Sequence, residues 1–248
     1  MPLTGRVAIV SGAGRGVGRA IAAGLIDHGA KVIVADNGTS AAGEGADPTV
    51  ARDAAAALGA RALAFSDSVA SPGAAQQLVD LAVRRLGGID IVVNNAAIHR
   101  ESPIVEADPG DWDAVLRNNL SAAFYLLRAA APKMRDRRDG GWGRIVNVLP
   151  AGALDGGRAR AATASAGAGM VALTRAAALD LADSGITVNA IAPQERSDEE
   201  ASVVAGLALA LCSPSGGDVS GRVLGIRGGA ILQFDELRPG APFSLEGV

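Results

Sequence analysis

Three glycines and one aspartate near the N-terminus have the types and spacing of a nucleotide site. Gly12, Gly16 and Gly18 follow an apolar run in the order G-x-x-x-G-x-G, and Asp36 lies 18 residues after Gly18. Glycines let a backbone turn tightly and approach a pyrophosphate, and free N–H groups at the start of a helix attract the anion. A carboxylate after the next strand accepts hydrogen bonds from ribose hydroxyls and repels a 2′-phosphate, so the spacing favours NAD over NADP.

The surroundings of these glycines support nucleotide binding, although close packing of a helix on a sheet is a second explanation for them. The run "RVAIVSG" (6–12) is typical of a strand, and residues 16–28 have the pattern of a helix. Strand, turn and helix form the context that a phosphate-binding loop requires. Arg15 favours a phosphorylated ribose, but we give Asp36 more weight.

Short apolar runs that alternate with longer amphipathic segments must position these residues. The predicted strands are 6–12, 31–37, 61–67, 89–96, 143–149, 186–193 and 221–226. The predicted helices are 16–28, 49–58, 72–86, 110–136, 164–183 and 199–212. Because the runs are continuously hydrophobic rather than alternating, they resemble parallel strands that are covered on both faces. The pattern predicts an α/β fold of Rossmann type with a doubly wound, seven-stranded parallel sheet.

We predict that the 248 residues form a single domain, residues 1–230, followed by an extended C-terminal arm, residues 231–248. No change of composition divides the chain. Only 3% of the residues are aromatic, so aliphatic side chains must do most of the packing. The Gly- and Ala-rich loop of residues 37–48 is predicted to be a mobile surface loop.

Charge and cysteine content argue against several classes of function. The formal net charge is −3, and the most basic stretch, "MRDRRDG" (134–140), is interleaved with Asp, so no nucleic-acid partner is expected. The one cysteine, Cys212, rules out an internal disulfide and fits a reducing compartment such as the cytoplasm. Its apolar neighbours predict a buried thiol rather than a nucleophile. No apolar run reaches the roughly 18 residues of a membrane span, and neither a signal peptide nor a metal site is expected.

The chain resembles the short-chain dehydrogenase/reductase family over essentially its whole length. The motifs that carry the resemblance are "SGAGRGVG" (11–18), "DSV" (67–69), "NNAA" (94–97), "RNNL" (117–120), "GRIVNV" (143–148), "ALTRAAALDLADSGITVNAIAP" (172–193) and "SGRVLGIRGG" (220–229). Within the family, "NNAAIHRES" and "DWDAV" are similar to the dehydrogenase part of peroxisomal multifunctional enzymes, which act on 3-hydroxyacyl-CoA. The β-ketoacyl carrier-protein reductases are the next nearest group.

The resemblance implies a set of contacts to a bound NAD. The implied cofactor-binding residues are Gly12, Arg15, Gly16, Val17, Gly18, Asp36, Asp67, Ser68, Asn95, Ala96 and Ala97. By this analogy Asp67 and Ser68 lie beside the adenine, and residues 95–97 line the cofactor after the fourth strand. The family motif there is N-N-A-G, so Ala97 adds a methyl group where the backbone comes close.

The residues that carry out the family's reaction are missing from this chain. The family uses a Tyr as general acid and base, a Lys that lowers its pKa and holds the nicotinamide ribose, and a Ser that polarises the substrate oxygen. The register of "ALTRAAALDLA" places Thr163, Gly167 and Pro150 at these positions, respectively. Asn119 matches an Asn that holds a water of the proton relay in many members. A threonine hydroxyl without a neighbouring cation cannot replace the tyrosine, so no residue is assigned as catalytic.

Other candidates for proton transfer have simpler explanations. Tyr125 lies within a predicted helix and is expected to pack there, and Lys31 and Lys133 lie far from position 163 in the predicted topology. His99 follows the fourth strand and titrates in a range that suits proton transfer, although a loop histidine is the simpler interpretation. His28 is expected to end the first helix.

A second loss follows the sixth strand. The family has Pro-Gly there and then a mobile lid, whereas "APQERSDEE" (192–200) passes almost directly into the last helix, with Gln194 in place of the Gly. A site without a lid excludes water poorly. Without the lysine, NAD is expected to bind weakly or not at all.

Three functions are consistent with these features. The hypothesis we favour is a non-catalytic subunit that assembles with an active homologue into a hetero-oligomeric, NAD-dependent hydroxyacyl-CoA or similar secondary-alcohol dehydrogenase. The resemblance implies a tetramer, formed through the helices at about 110–136 and 163–183. The alternatives are a 3-hydroxyacyl-CoA dehydrogenase with unconventional catalysis, and an NAD-responsive binding or regulatory protein.

Overall fold

The computed structural model describes residues 2–136, 141–194 and 197–234, and its strands form one sheet. The strands are β1 (Val7–Ser11), β2 (Lys31–Ala35), β3 (Ala62–Phe65), β4 (Ile91–Asn94), β5 (Gly143–Val148), β6 (Ile186–Pro193), β7 (Val223–Arg227) and β8 (Ala230–Gln233). Their order is β3-β2-β1-β4-β5-β6-β7-β8. Strands β1 to β7 are parallel, as the sequence predicts, and the strand order reverses between β1 and β4.

Helices cover both faces of the sheet, which explains the unbroken apolar runs of the strands. The helices are α1 (Gly16–Asp27), α2 (Thr49–Leu58), α3 (Pro72–Leu86), α4 (Pro109–Leu116), α5 (Ala122–Arg135), α6 (Ala161–Asp180) and α7 (Asp198–Cys212). Helices α1 and α7 pack together over one face, and α3 and α5 pack over the other. A π-helical turn, Arg117–Ser121, joins α4 to α5, so the helix predicted at 110–136 is one run with a widened turn.

A buried chain of hydrogen bonds fixes α6 against the centre of the sheet. Asn94 donates to Asn147 across 2.8 Å, and Asn147 donates to the hydroxyl of Thr174, also across 2.8 Å. The Thr174 hydroxyl in turn donates to the carbonyl of Met170. Because buried amides are costly unless they are bonded, this chain specifies how α6 sits on β4 and β5. It thereby fixes the places of Thr163 and Gly167.

The sheet has eight strands, so the prediction of seven strands and of an arm that begins at residue 231 is wrong at this edge. Gly228 and Gly229 have φ of 54° and 75°, a conformation that glycine adopts readily. They form a two-residue turn that returns the chain antiparallel to β7, with Ile231 opposite Ile226. Residues 235–248 of the predicted arm, and 137–140 of the basic stretch, lie outside the described residues.

The loop of residues 37–48 was predicted to be mobile, but two hydrogen bonds anchor its tip. The amide of His99 donates to the carbonyl of Ala41 across 2.8 Å, and Arg100 Nε donates to the carbonyl of Ala42 across 2.9 Å. The loop therefore spans from β2 to the segment after β4.

Cys212 and His28 lie outside the cavity, and both have the environments predicted for them. Cys212 is buried, and burial raises the pKa of its thiol to about 12, so it is not an activated nucleophile. His28 ends α1, as predicted, with its ring 2.7 Å from the carbonyl of Gly24. Within the described ranges, no helix is long and apolar enough to cross a membrane.

Candidate functional site

A cavity of about 500 Å³ lies at the carboxyl ends of the parallel strands, where the strand order reverses between β1 and β4. Ligands of open α/β sheets bind at this position. The structure brings ten of the eleven predicted cofactor-binding residues to its wall: Gly12, Arg15, Gly16, Val17, Asp36, Asp67, Ser68, Asn95, Ala96 and Ala97.

The turn after β1 depends on glycine for two separate reasons. Gly12 and Gly16 have φ of 64° and 52°, and a Cβ at Gly12 would lie 2.8 Å from Cα of Ala96. Gly18 does not line the cavity, and a Cβ there would lie 2.2 Å from the carbonyl oxygen of Gly12. Gly12 and Gly16 thus shape the wall, whereas Gly18 lets α1 pack closely on the turn. Helix α1 begins at Gly16 and directs its first amides towards the cavity.

Asp36 has a structural task as well as its predicted contact to a ribose. Its two carboxylate oxygens accept hydrogen bonds from the amides of Gly14, across 2.9 Å, and Gly38, across 2.8 Å. A carboxylate oxygen has lone pairs for more than one donor, so both oxygens are still able to accept from a ribose. The amides fix the position of the carboxylate before any ligand arrives.

Asn95 and Ser11 brace the middle of the cavity. The Asn95 side chain donates to the carbonyls of Ser11 and Gly12, across 3.1 Å in each case. The hydroxyl of Ser11 accepts from the amides of Asn95 and Ala96. These bonds hold the ends of β1 and β4 together at the wall of the cavity.

The three positions that the family uses for catalysis are built differently here. Thr163 has 0% of its surface exposed, and its hydroxyl has no hydrogen-bond partner. Gly167 is covered by Ala153, since a Cβ at position 167 would lie 2.6 Å from Cβ of Ala153. Pro150 lines the cavity but has neither a hydroxyl nor an N–H to offer. Neither Thr163 nor Gly167 therefore lines the cavity.

Arg160 holds down the segment that covers these positions, a role that the sequence reasoning missed. Its guanidinium donates to the carbonyls of Ala151 and Gly152, and its Nε donates to Glu101 across 3.0 Å. The amide of Ser102 adds a bond to the carbonyl of Ala159. The segment after β5 is thus tied to the segment after β4, with Ala153 packed beneath it.

The end of β6 is also closed by internal bonds. The amide of Gln194 donates to a carboxylate oxygen of Glu200 across 2.7 Å, and the carbonyl of Pro193 accepts from the amide of Gly152. Ser197 caps α7 by accepting from the amide of Glu200. Because α7 begins so soon after β6, its residues Ala201 and Val204 take part of the cavity wall. The predicted shortening of the lid agrees with this arrangement.

Asn119 and His99 lie near each other, but the structure gives them different tasks. The Asn119 side chain accepts from the amide of Ile98 and donates to its carbonyl, across 2.8 Å in both bonds. Asn119 therefore clamps the segment that carries His99, and His99 itself lines the cavity. Tyr125 packs against the edge of Phe124, and Lys31 begins β2 at the opposite end of the sheet from the cavity.

Comparison with known proteins identifies the chain. Residues 6–197 match the short chain dehydrogenase family. The chain belongs to this family. The resemblance inferred from the motifs is therefore confirmed, as is the Rossmann-type fold.

Several members of the short chain dehydrogenase family are similar over most of their length. A hydroxyacyl-CoA dehydrogenase of Mycobacterium tuberculosis is 35% identical over 99% of this chain and 84% of the relative. A 3-oxoacyl-(acyl-carrier-protein) reductase of Vibrio cholerae is 32% identical over 94% of this chain and 100% of its own. The crystal structure of a short chain dehydrogenase from Mycobacterium avium has 32% identity and a TM-score of 0.86, and the match covers 99% of this chain and 90% of that one.

Only one half of the cofactor that the short chain dehydrogenase family implies is matched by residues of the cavity wall. The glycine turn, Asp36, Asp67 and Ser68 provide the donors and acceptors that an adenosine diphosphate needs. The β5 and β6 side offers Val148, Leu149 and Pro150 to a nicotinamide riboside, without the lysine and tyrosine of the family. The residues present fit the ADP half of NAD and not the nicotinamide half.

Proposed function

We propose that this chain is a non-catalytic member of the short chain dehydrogenase family that assembles with an active homologue. The assembly would be an NAD-dependent dehydrogenase of hydroxyacyl-CoA or a similar secondary alcohol, located in the cytoplasm. The substrate class is proposed by analogy with the relative from Mycobacterium tuberculosis, and the location from the single buried cysteine.

The observation that carries the proposal is the closed state of the catalytic positions. Hydride transfer at an alcohol carbon requires a group that takes the alcohol proton, and general acid–base help contributes about 10²–10⁴ to such rates. The hydroxyl of Thr163 is sealed in the core, and Ala153 occupies the space beside Gly167. The chain has thus adapted its packing to the loss of these side chains, which supports a role other than catalysis.

The outer face of α6 supports an assembly with another chain. Five of its six exposed positions form an uncharged stripe at helical spacing, and the sixth is Asp180, the last residue of the helix: the stripe consists of Ser165, Ala168, Ala172, Ala176 and Leu179. Leu179 is 80% exposed, and Phe124 on α5 is 45% exposed. Small side chains permit close contact between helices, and an exposed apolar surface marks an interaction site. This surface coincides with the helices through which the tetramer is expected.

His99 supports a second candidate, a dehydrogenase with unconventional catalysis. It is the histidine on the cavity wall, and an imidazole can act as a general base. The absence of a matching cation at Gly167 weighs against this candidate.

Comparing the activity of the chain isolated from its own host with that of the pure recombinant chain tests the proposal. We expect a tagged copy from the host to oxidise a 3-hydroxyacyl-CoA with NAD, because its partner is isolated with it. We expect the pure chain to do so at less than about 10⁻⁴ of that rate, because both acid–base and oxyanion groups are lost. Comparable turnover by the pure chain would contradict the proposal, and its loss in His99→Ala would favour the second candidate.

A further inference from the structure

We infer that the cleft recognises an adenine nucleotide by its ADP half alone, so that ADP-ribose and NAD bind with similar affinity. The inference rests on the proposed function, because a non-catalytic subunit does not need to bind the nicotinamide ring. It makes the chain a sensor or structural holder of adenosine diphosphates rather than a redox site.

The ADP side of the cavity has donors and acceptors that face a ligand. The first amides of α1 lie beside the wall formed by Gly12 and Gly16. The carboxylate of Asp36 is fixed by two backbone amides at the place of the adenosine ribose. Asp67 and Ser68 complete the wall after β3. Fixed groups of this kind bind without the cost of ordering side chains.

The polar backbone groups at the other side are already engaged within the protein. The amide of Gln194 donates to Glu200, and the carbonyl of Pro193 accepts from Gly152. The carbonyls of residues 151 and 152 accept from the Arg160 guanidinium, and that of Pro150 accepts from the amide of Ala153. The amide of Gln194 has no second hydrogen to donate to a nicotinamide carboxamide. Each of these carbonyls already has at least one donor, so a bond to the ligand would be an additional one.

Helix α6 contributes no polar group to the nicotinamide side of the cavity in place of these engaged backbone groups. Thr163 is fully buried, and its hydroxyl has no hydrogen-bond partner. Gly167 has no side chain and is covered by Ala153. Among the described residues that β5, β6 and α7 contribute to the cavity wall, Ser197 is the polar side chain, and its oxygen already accepts from the amide of Glu200.

The contribution of the nicotinamide riboside to the binding free energy of NAD depends on the cost of removing its polar groups from water. If the nicotinamide riboside stays in solvent, it adds nothing to binding. If it enters the apolar side, its ring gains contact with Leu149 and Val204, but each polar group left unpaired costs about 1–3 kcal/mol. Because this cost offsets the apolar contact, we expect the riboside to stay in solvent. The two dissociation constants should then agree within about threefold, or roughly 0.7 kcal/mol.

Isothermal titration of the full chain with ADP-ribose, NAD, ADP and NADP tests the inference. We expect the first three to bind with similar affinity, and NADP to bind about tenfold more weakly or worse, because its 2′-phosphate meets the Asp36 carboxylate. NAD binding at least tenfold tighter than ADP-ribose would overturn the inference, and so would the absence of binding by all four at millimolar concentration.

Asp36 and Asp53 provide matched variants. Asp36→Ala should weaken ADP-ribose and NAD equally, by about tenfold, because each loses the same ribose acceptor. Asp53→Ala removes an exposed carboxylate on α2 that lies outside the cavity wall, so it should change neither affinity. Selective weakening of NAD by Asp36→Ala would contradict the inference. A preference for NAD without turnover overturns this inference alone, whereas turnover by the pure chain with equal affinities overturns the proposed function alone.

Discussion

Restoring the three family side chains together, as Pro150→Ser, Thr163→Tyr and Gly167→Lys, is expected to give no measurable dehydrogenase activity and to lower the free energy of unfolding by about 3 kcal/mol or more. A lysine at position 167 must displace Ala153, whose Cβ lies 2.6 Å from the place of the new Cβ. A tyrosine must enter the fully enclosed position of Thr163. Overpacking at one buried position costs about 1–3 kcal/mol, and a buried ammonium without a partner adds to this. Chemical denaturation and a turnover assay with a 3-hydroxyacyl-CoA measure the two effects.

A milder pair of substitutions keeps this prediction testable if the triple variant fails to fold. Gly167→Ala alone should destabilise the chain by about 1–2 kcal/mol because of the contact with Ala153, although alanine is the better helix former. In the background Ala153→Gly, the same substitution should cost at least about 1 kcal/mol less, because the nearest remaining atom is the carbonyl oxygen of residue 153 at 3.3 Å. Loss of the penalty across this cycle identifies the Ala153 side chain as the group that closes the site. Wild-type stability of the triple variant together with dehydrogenase turnover would show that the site is not closed.

Ala172→Glu on α6 is expected to break the assembly without unfolding the chain. Ala172 is exposed at the centre of the uncharged stripe. At an interface between two helices, a buried carboxylate without a partner is costly, and in a symmetric contact it would face its own copy. We expect association to weaken by on the order of 100-fold or more. The mass of the assembly, measured by light scattering during gel filtration, reports the change.

Ala56→Glu is the matched control for this prediction. Ala56 is an exposed helical alanine, like Ala172, but it lies in the last turn of α2, away from α5 and α6. Both variants should keep the far-UV circular dichroism of the wild type, and the control should also keep its full mass. Dissociation of the control, or retention of the full assembly by Ala172→Glu, would place the interface elsewhere.

The sheet and the nucleotide turn were predictable because their signals are local. Continuous apolar runs fixed β1 to β7, and the glycines with Asp36 predicted the place of the cavity. The edge strand β8 was missed although Gly228 and Gly229 stand between two apolar runs, which is itself a hairpin signal. The cap of α7 was similarly readable, since Ser197 and Glu200 have the spacing of a capping box.

The closure of the catalytic positions was not predictable from the sequence. Spacing showed that Thr163 and Gly167 replace the family residues, but only the packing shows that Ala153 fills the space beside Gly167. The anchor between Ala41 and His99 and the clamp from Arg160 to Glu101 join segments 58 to 59 residues apart. Contacts at such separation depend on the fold as a whole, and no local pattern indicates them.

Native mass spectrometry of the tagged chain, isolated from its own host, tests the central claim most directly. The account predicts a mixed assembly, in which this chain is paired with a second short chain dehydrogenase of similar size. That partner would carry the serine, tyrosine and lysine that this chain lacks. A clean homo-oligomer of this chain alone would contradict the account.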